Sequence, residues 1–130
     1  MAKGVLVDVS KCIGCKGCQV ACKQWNDLPA SIPDFDNDLS YPSEMGDETY
    51  TTVIHEAVKK DGEDTLRFAK NQCLHCEDPT CETVCFSNAL EKSPEGPVIY
   101  HEDKCVGCRY CIIACPFSVP KYEWDNAFTP

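Results

Sequence analysis

Cys12, Cys15, Cys18 and Cys22 are spaced C-x2-C-x2-C-x3-C. Cys73, Cys76, Cys81 and Cys85 read C-x2-C-x4-C-x3-C. Cys105, Cys108, Cys111 and Cys115 return to the first spacing, with Pro116 directly after them. These three quartets use all 12 cysteines of the 130-residue chain. Cysteine at this density serves either disulfides or metal. Cysteines two residues apart are poor partners in a disulfide framework. Structural zinc takes C-x2-C pairs set apart by a longer gap, not four cysteines packed into one short loop. A [4Fe–4S] cube asks for one thiolate on each of four irons, and cysteines spaced by two residues wrap a loop around three of its corners.

Local chemistry fits that reading. Gly14, Gly17 and Gly107 lie inside the loops, where a residue without Cβ lets the backbone approach a cluster closely. The fourth cysteine of each quartet falls one helical turn beyond the third, so it starts a helix that leaves the loop. The first and third quartets have the spacing of bacterial ferredoxins, where the fourth cysteine ligates the other cluster of a pair. Lys16 and Arg109 sit within loops, where a cation beside a cluster favours its reduced state; the competing reading is a solvated surface charge. His75 lies inside the second loop, but that quartet is complete without it, so a hydrogen-bonding role or a partner contact is expected. His55 and His101 read as ordinary strand or turn residues. Trp25, Tyr110 and Phe117 follow loops closely and are expected to shield clusters or pack in a core.

The elements that must position these loops are short. Alternation over Val5–Val9 predicts a strand entering the first loop, and Gln19–Trp25 predicts a helix leaving it. Residues 26–48 are rich in Pro, Asp and Ser and read as an irregular acidic insertion, long enough to cover a cluster or touch a partner. Tyr50–Val58 and Thr65–Phe68 predict a hairpin turning at Lys60-Asp61-Gly62-Glu63, within a segment spanning 49–70. Residues Glu91–Gly96 read as a polar turn before a strand at Val98–Tyr100. The tail after Cys115 shows no clear element. Lys11–Cys18 (KCIGCKGC) and Lys104–Cys111 (KCVGCRYC) repeat one pattern. The expected fold class is therefore α+β: a duplicated bacterial-ferredoxin-like domain of short strands, short helices and cluster-binding loops. Residues 1–130 form one polyferredoxin-like unit, with a first cluster loop at 5–25 and paired cluster loops at 71–120.

Composition narrows the partners. With 21 acidic against 12 basic side chains, the formal net charge is −9, which argues against nucleic acid. No run approaches the ~18 apolar residues of a membrane span. No signal-peptide pattern opens the chain, so a cytoplasmic location that keeps thiols reduced is expected, the alternative being periplasmic export with a partner. No nucleophile–base pair or phosphate-binding glycine loop is present, which argues against catalysis by this chain.

The stretch Asp8–Cys22 followed by Trp25-Asn26-Asp27 resembles the opening of formate dehydrogenase iron–sulfur (beta) subunits. Cys73-Leu74-His75-Cys76-Glu77-Asp78-Pro79 is similar to the same family, as are Cys105-Val106-Gly107-Cys108 and Cys115-Pro116-Phe117. Sister subunits serve dimethyl sulfoxide reductase, polysulfide reductase and tungsten aldehyde oxidoreductase-like enzymes. The resemblance implies a non-catalytic subunit that docks on a large molybdenum- or tungsten-pterin catalytic subunit, formate dehydrogenase-like or aldehyde oxidoreductase-like. It would relay single electrons between that subunit and an external acceptor or donor, such as a further electron-acceptor subunit. The alternative is a free-standing soluble polyferredoxin.

The family's usual four motifs pair first with fourth and second with third. By position, Cys73, Cys76 and Cys81 would share a cluster with Cys115, and Cys105, Cys108 and Cys111 one with Cys85. No fourth motif follows within these 130 residues. Cys12, Cys15 and Cys18 are then completed by Cys22, by a partner residue or by a segment outside this chain. Three [4Fe–4S] clusters are expected, or four with a further C-terminal motif. Cys22 and Cys85 are followed by Lys23 and Phe86, where the family commonly has proline.

Overall fold

The computed structural model describes residues 3–32 and 41–125. It divides into two compact units: Leu6–Gln72, and Met1–Val5 together with Cys73–Pro130.

The unit Leu6–Gln72 contains one helix, α1 (Gly17–Trp25), and one hairpin of β1 (Thr51–Lys60) and β2 (Glu63–Gln72). The helix begins at Gly17 rather than Gln19 because Lys16 takes the left-handed conformation, φ 58°, and turns the loop directly into it. It ends where the Asn26 N–H and side-chain amide both donate to the Cys22 carbonyl and Asp27 turns left-handed, φ 53°.

The hairpin pairs antiparallel over the full length of both strands, from Thr51↔Gln72 to Lys60↔Glu63. Asp61 and Gly62 alone make the loop, with φ 54° and 87°. Two consecutive positive-φ residues are the mark of the turn whose twist matches a hairpin, and Asp-Gly supplies them at low cost. The strands run further than their β-branched runs indicated, because pairing carries Lys59, Lys60 and the polar end of β2 along with it.

Apolar alternation over Val5–Val9 does not produce a strand. No neighbouring chain is there to take up its N–H and C=O groups among the described residues, and Val5, Leu6 and Val9 stand exposed. The Asp8 carboxylate instead accepts from the Ser10 N–H at 3.0 Å, and the Lys11 N–H closes on the Asp8 carbonyl at 3.2 Å, making a turn. The Ser10 hydroxyl, which also donates to the Asp8 carboxylate, and then the Ser10 N–H hold that carboxyl below its ordinary range.

The second unit holds α2 (Thr80–Thr83), β3 (Leu90–Lys92), β4 (Val98–Tyr100), a 3-10 turn at Glu102–Lys104 and α3 (Tyr110–Ala114). Strands β3 and β4 pair antiparallel as Leu90↔Tyr100, Glu91↔Ile99 and Lys92↔Val98. Glu91 and Lys92, expected in a polar turn, therefore belong to a strand; the turn proper is tighter, closed by the Gly96 N–H on the Ser93 carbonyl. Elements this short and few match an α+β ferredoxin-like domain.

Apolar burial is thin. The buried apolar side chains among the described residues are Met45, Val53 and Ala89, and Gln19, Thr49, Thr51 and Thr52 are buried beside them. A chain of this size with so small a core needs another source of cohesion. Residues 33–40 of the acidic insertion, Pro33 among them, lie outside the described residues, as does Pro130.

Candidate metal centre

In the unit Leu6–Gln72 the first loop presents Cys15 and Cys18 exposed and Cys12 and Cys22 half-buried. Its shape is fixed by packing against the hairpin. Gly14 has φ 70°, and a Cβ there would lie 2.5 Å from Phe68 Cδ1. Phe68 is opposite His55 in the hairpin register and meets its ring edge-on at 5.0 Å. Only glycine satisfies both the backbone angle and the approach of that aromatic ring.

Helix α1 is tied to β1 by Gln19, 5% exposed, whose side-chain oxygen accepts from the Val53 N–H at 3.3 Å. Lys16 Nζ donates to the Tyr41 carbonyl at 2.9 Å. Lys23 Nζ donates to the Pro29 and Glu48 carbonyls at 2.8 and 2.7 Å. The lysines around this loop thus brace the ends of the insertion. Asn26 Nδ2 also lies 3.7 Å from Cys22 Sγ, within reach of an amide–sulfur hydrogen bond.

In the second unit the thiols interact across the sequence. Burial pushes the Cys73 thiol above its ordinary range; the His75 N–H, 3.4 Å from Cys73 Sγ, opposes this, while Cys76 and Cys115 reinforce it. Burial likewise raises Cys81, opposed by the Glu82 amide and reinforced by Cys115 and Cys73. Cys115 therefore acts on both Cys73 and Cys81, although it comes from the far end of the third quartet, and Cys76 acts on Cys73.

Burial also raises Cys111, and the nearby Cys105 and Cys108 add to the rise. Tyr100 of β4 is pushed well above the usual phenol range, first by burial and then by a hydrogen bond with the Cys105 thiol. Cys85 goes the other way. Burial raises it, but the Ser87 hydroxyl at 3.6 Å and the Ala89 N–H at 3.3 Å from its sulfur, with further backbone donors, outweigh that and lower it. The described contacts of Cys85 are with this Ser87–Leu90 segment rather than with a thiol of the third loop.

These donor sets fit iron–sulfur cubes. Sulfur ligands arrive on short loops, with amide N–H groups already aimed at Cys73 and Cys85. Among the described residues no three His, Cys, Asp or Glu side chains converge on a single-ion site. A cube places each thiolate on a different iron, so its ligands surround a volume and not a point. The raised thiols would be deprotonated on binding iron, as metal ligands are.

Two features of the second unit carry no signal in the cysteine motifs. Lys92 Nζ donates to the His75 and Cys76 carbonyls at 2.7 Å each, and to the Gly96 carbonyl. Arg109, left-handed at φ 62°, lies between Tyr122 and Trp124, its guanidinium carbon 4.5 Å from each ring centroid. The spacing Tyr-x-Trp in the tail was the available signal for the second; nothing local signals the first. His75, for which a hydrogen-bonding role is one of two expectations, accepts the Val98 N–H on Nδ1 at 3.0 Å, which assigns its proton to Nε2. Burial and the neighbouring Lys92 keep its pKa below the ordinary histidine range, against the pull of that bond. His101 pairs with Glu91 at 3.2 Å. Trp25, Tyr110 and Phe117 are 88%, 53% and 50% exposed, so none of them packs in a core of this chain.

Two models of the family described as "4Fe-4S dicluster domain" match the chain, over residues 11–89 and 64–129. The nitrate-inducible formate dehydrogenase iron–sulfur subunit of Escherichia coli K12 is 37% identical over 122 residues, covering 93% of this chain and 42% of that protein. The hydrogenase-2 operon protein HybA of Escherichia coli O157:H7 is 39% identical over 133 residues, 96% of this chain and 40% of its own length. A selenate reductase subunit from Mesobacillus selenatarsenatis is 35% identical over 125 residues, 96% of this chain and 37% of its own. The chain spans less than half the length of these curated relatives.

Proposed function

Because the chain belongs to the 4Fe–4S dicluster domain family, we propose that it is a non-catalytic electron relay whose cysteines hold three [4Fe–4S] clusters. The sets are Cys73, Cys76 and Cys81 with Cys115; Cys105, Cys108 and Cys111 with Cys85; and Cys12, Cys15 and Cys18 with Cys22. The observation that supports this most strongly is the mutual influence of Cys73, Cys81 and Cys115, which joins the second loop to the end of the third. Such an exchange is the ligation pattern of two-cluster ferredoxins and favours a duplicated unit. The clusters would supply one-electron chemistry. The chain's own residues hold the thiolates in fixed loops, direct N–H groups toward sulfur and place cations close by.

The donor or acceptor is proposed to be a large molybdenum- or tungsten-pterin subunit. Two of the relatives belong by name to a formate dehydrogenase and a selenate reductase, which supports this choice. Among the described residues no helix is long and apolar enough to cross a membrane. Reduced thiols favour a cytoplasmic setting.

Anaerobic preparation of the full chain, with iron and acid-labile sulfide counted together, tests the core of the proposal. About twelve of each per chain are expected from three cubes, with reduced-cluster signals in electron paramagnetic resonance. Colourless protein lacking inorganic sulfide would overturn it. Recovery of a pterin-containing subunit with the native protein separates the relay from a free-standing ferredoxin.

A further inference from the structure

Lys92 places all its donors on backbone carbonyls of a cysteine loop and its neighbouring turn. Its Nζ bonds the His75 and Cys76 carbonyls at 2.7 Å and the Gly96 carbonyl as well. An ammonium has three N–H donors, so every one is used. Among the described residues no carboxylate pairs with it; the ion pairs are Lys11–Asp8 and His101–Glu91. Among those residues the charge is therefore not neutralised by a partner, in a chain whose formal net charge is −9.

The register of the β3–β4 hairpin aims it. Lys92 pairs with Val98, whose N–H donates to His75 Nδ1 at 3.0 Å. One rung of the hairpin thus grips the tip of the loop twice, through the lysine on one strand and the amide on the other. His75 at the tip is left-handed, φ 45°, a conformation that a side-chain-bearing residue keeps only when its surroundings hold it there. Bonds to the His75 and Cys76 carbonyls also polarise the peptide groups that follow, which makes the Cys76 and Glu77 N–H groups stronger donors.

We propose that Lys92 is a positioning residue of the relay: its half-buried ammonium clamps the Cys73–Cys76 loop in ligating shape and, as a fixed positive charge beside that loop, raises the reduction potential of the cluster held there. The inference rests on the ligand set given above for Cys73, Cys76, Cys81 and Cys115. A cation near a cluster stabilises the added electron, and half-burial limits its screening by salt.

The test compares full-length wild type, Lys92→Met and Lys92→Arg, each with iron and sulfide counted and each titrated by potential under electron paramagnetic resonance. Lys92→Met keeps the aliphatic stem and loses the charge. Its expected signature is one cluster signal shifted to more negative potential, the others unmoved, with Lys92→Arg restoring the wild-type value. Loss of a single cluster from the Met protein but not from the Arg protein also supports the clamp. Unchanged potentials in a fully loaded Met protein overturn the proposal. So does loss of the cluster from both variants, which would reduce Lys92 to packing. If the wild type binds no clusters at all, the parent reading fails instead, and the iron count tells the two failures apart.

Discussion

The two compact units solve the same chemical problem with different means. Around the second and third loops, thiols from separate quartets influence one another: Cys115, at the end of α3, acts on Cys73 and on Cys81 of α2. Around the first loop, one quartet has two exposed cysteines and a hairpin of two ten-residue strands as its support. Leu6, Ile13 and Trp25, all near this loop in sequence, are 93%, 77% and 88% exposed. The proposed exchange of ligands between loops would make one unit self-bracing; the other relies on the packing of Phe68 beside Gly14 and on the Gln19–Val53 bond. The lesson is that cysteine spacing specifies loop chemistry in both units, while the stiffness of each loop comes from whatever lies against it.

Removing single thiols is the strongest way to break that comparison. Cys115→Ala is expected to cost about one cube, roughly four irons of twelve, and to alter the signals of the unit it braces. Cys22→Ala should cost the same amount of iron while leaving the other two cubes' signals untouched. Full iron retention by the Cys22 variant would show that another ligand completes the first loop.

A smaller effect is expected from Gly14→Ala. The added methyl meets Phe68 and needs a left-handed backbone, so stability should fall by about 1–3 kcal/mol in denaturant unfolding. A variant as stable as the parent would mean that the hairpin does not hold this loop.

Next comes Trp124→Ala in the other unit, which strips one ring from Arg109. A loss of about 0.5–1 kcal/mol in thermal unfolding is expected, and more than that would point to a packing role for the indole. The smallest change is predicted for Leu6→Ser. A side chain this exposed should shift stability by no more than about 0.5 kcal/mol, and a larger drop would reveal burial that the isolated chain does not display.

Much of this was legible beforehand, for reasons that differ by element. The quartets declare themselves because ligand spacing is local. The hairpin does so because Asp61-Gly62 is a turn signal between β-branched runs, though its length was understated. The strand expected over Val5–Val9 failed because alternation reports two unlike faces and not the presence of a neighbour to bond. Strand β3 looks like a turn in sequence because Glu91 and Lys92 are polar, and only their pairing with Ile99 and Val98 makes them strand. The Lys92 contacts depend on register and are written in no short window of residues; those of Arg109 depend on the course of the tail, where Tyr122-x-Trp124 is the one local hint.

Lys16 and Arg109 occupy equivalent places in two loops, each turning the chain into a helix through a left-handed backbone, φ 58° and 62°. Glycine adopts that conformation freely, whereas a residue with a Cβ gives up about 1 kcal/mol. Selection for heat tolerance alone would therefore favour glycine at both sites. That change would also delete two positive charges from the rims of the cysteine loops. Thermal robustness and the positive charge of the loop rims thus pull the same two positions in opposite directions.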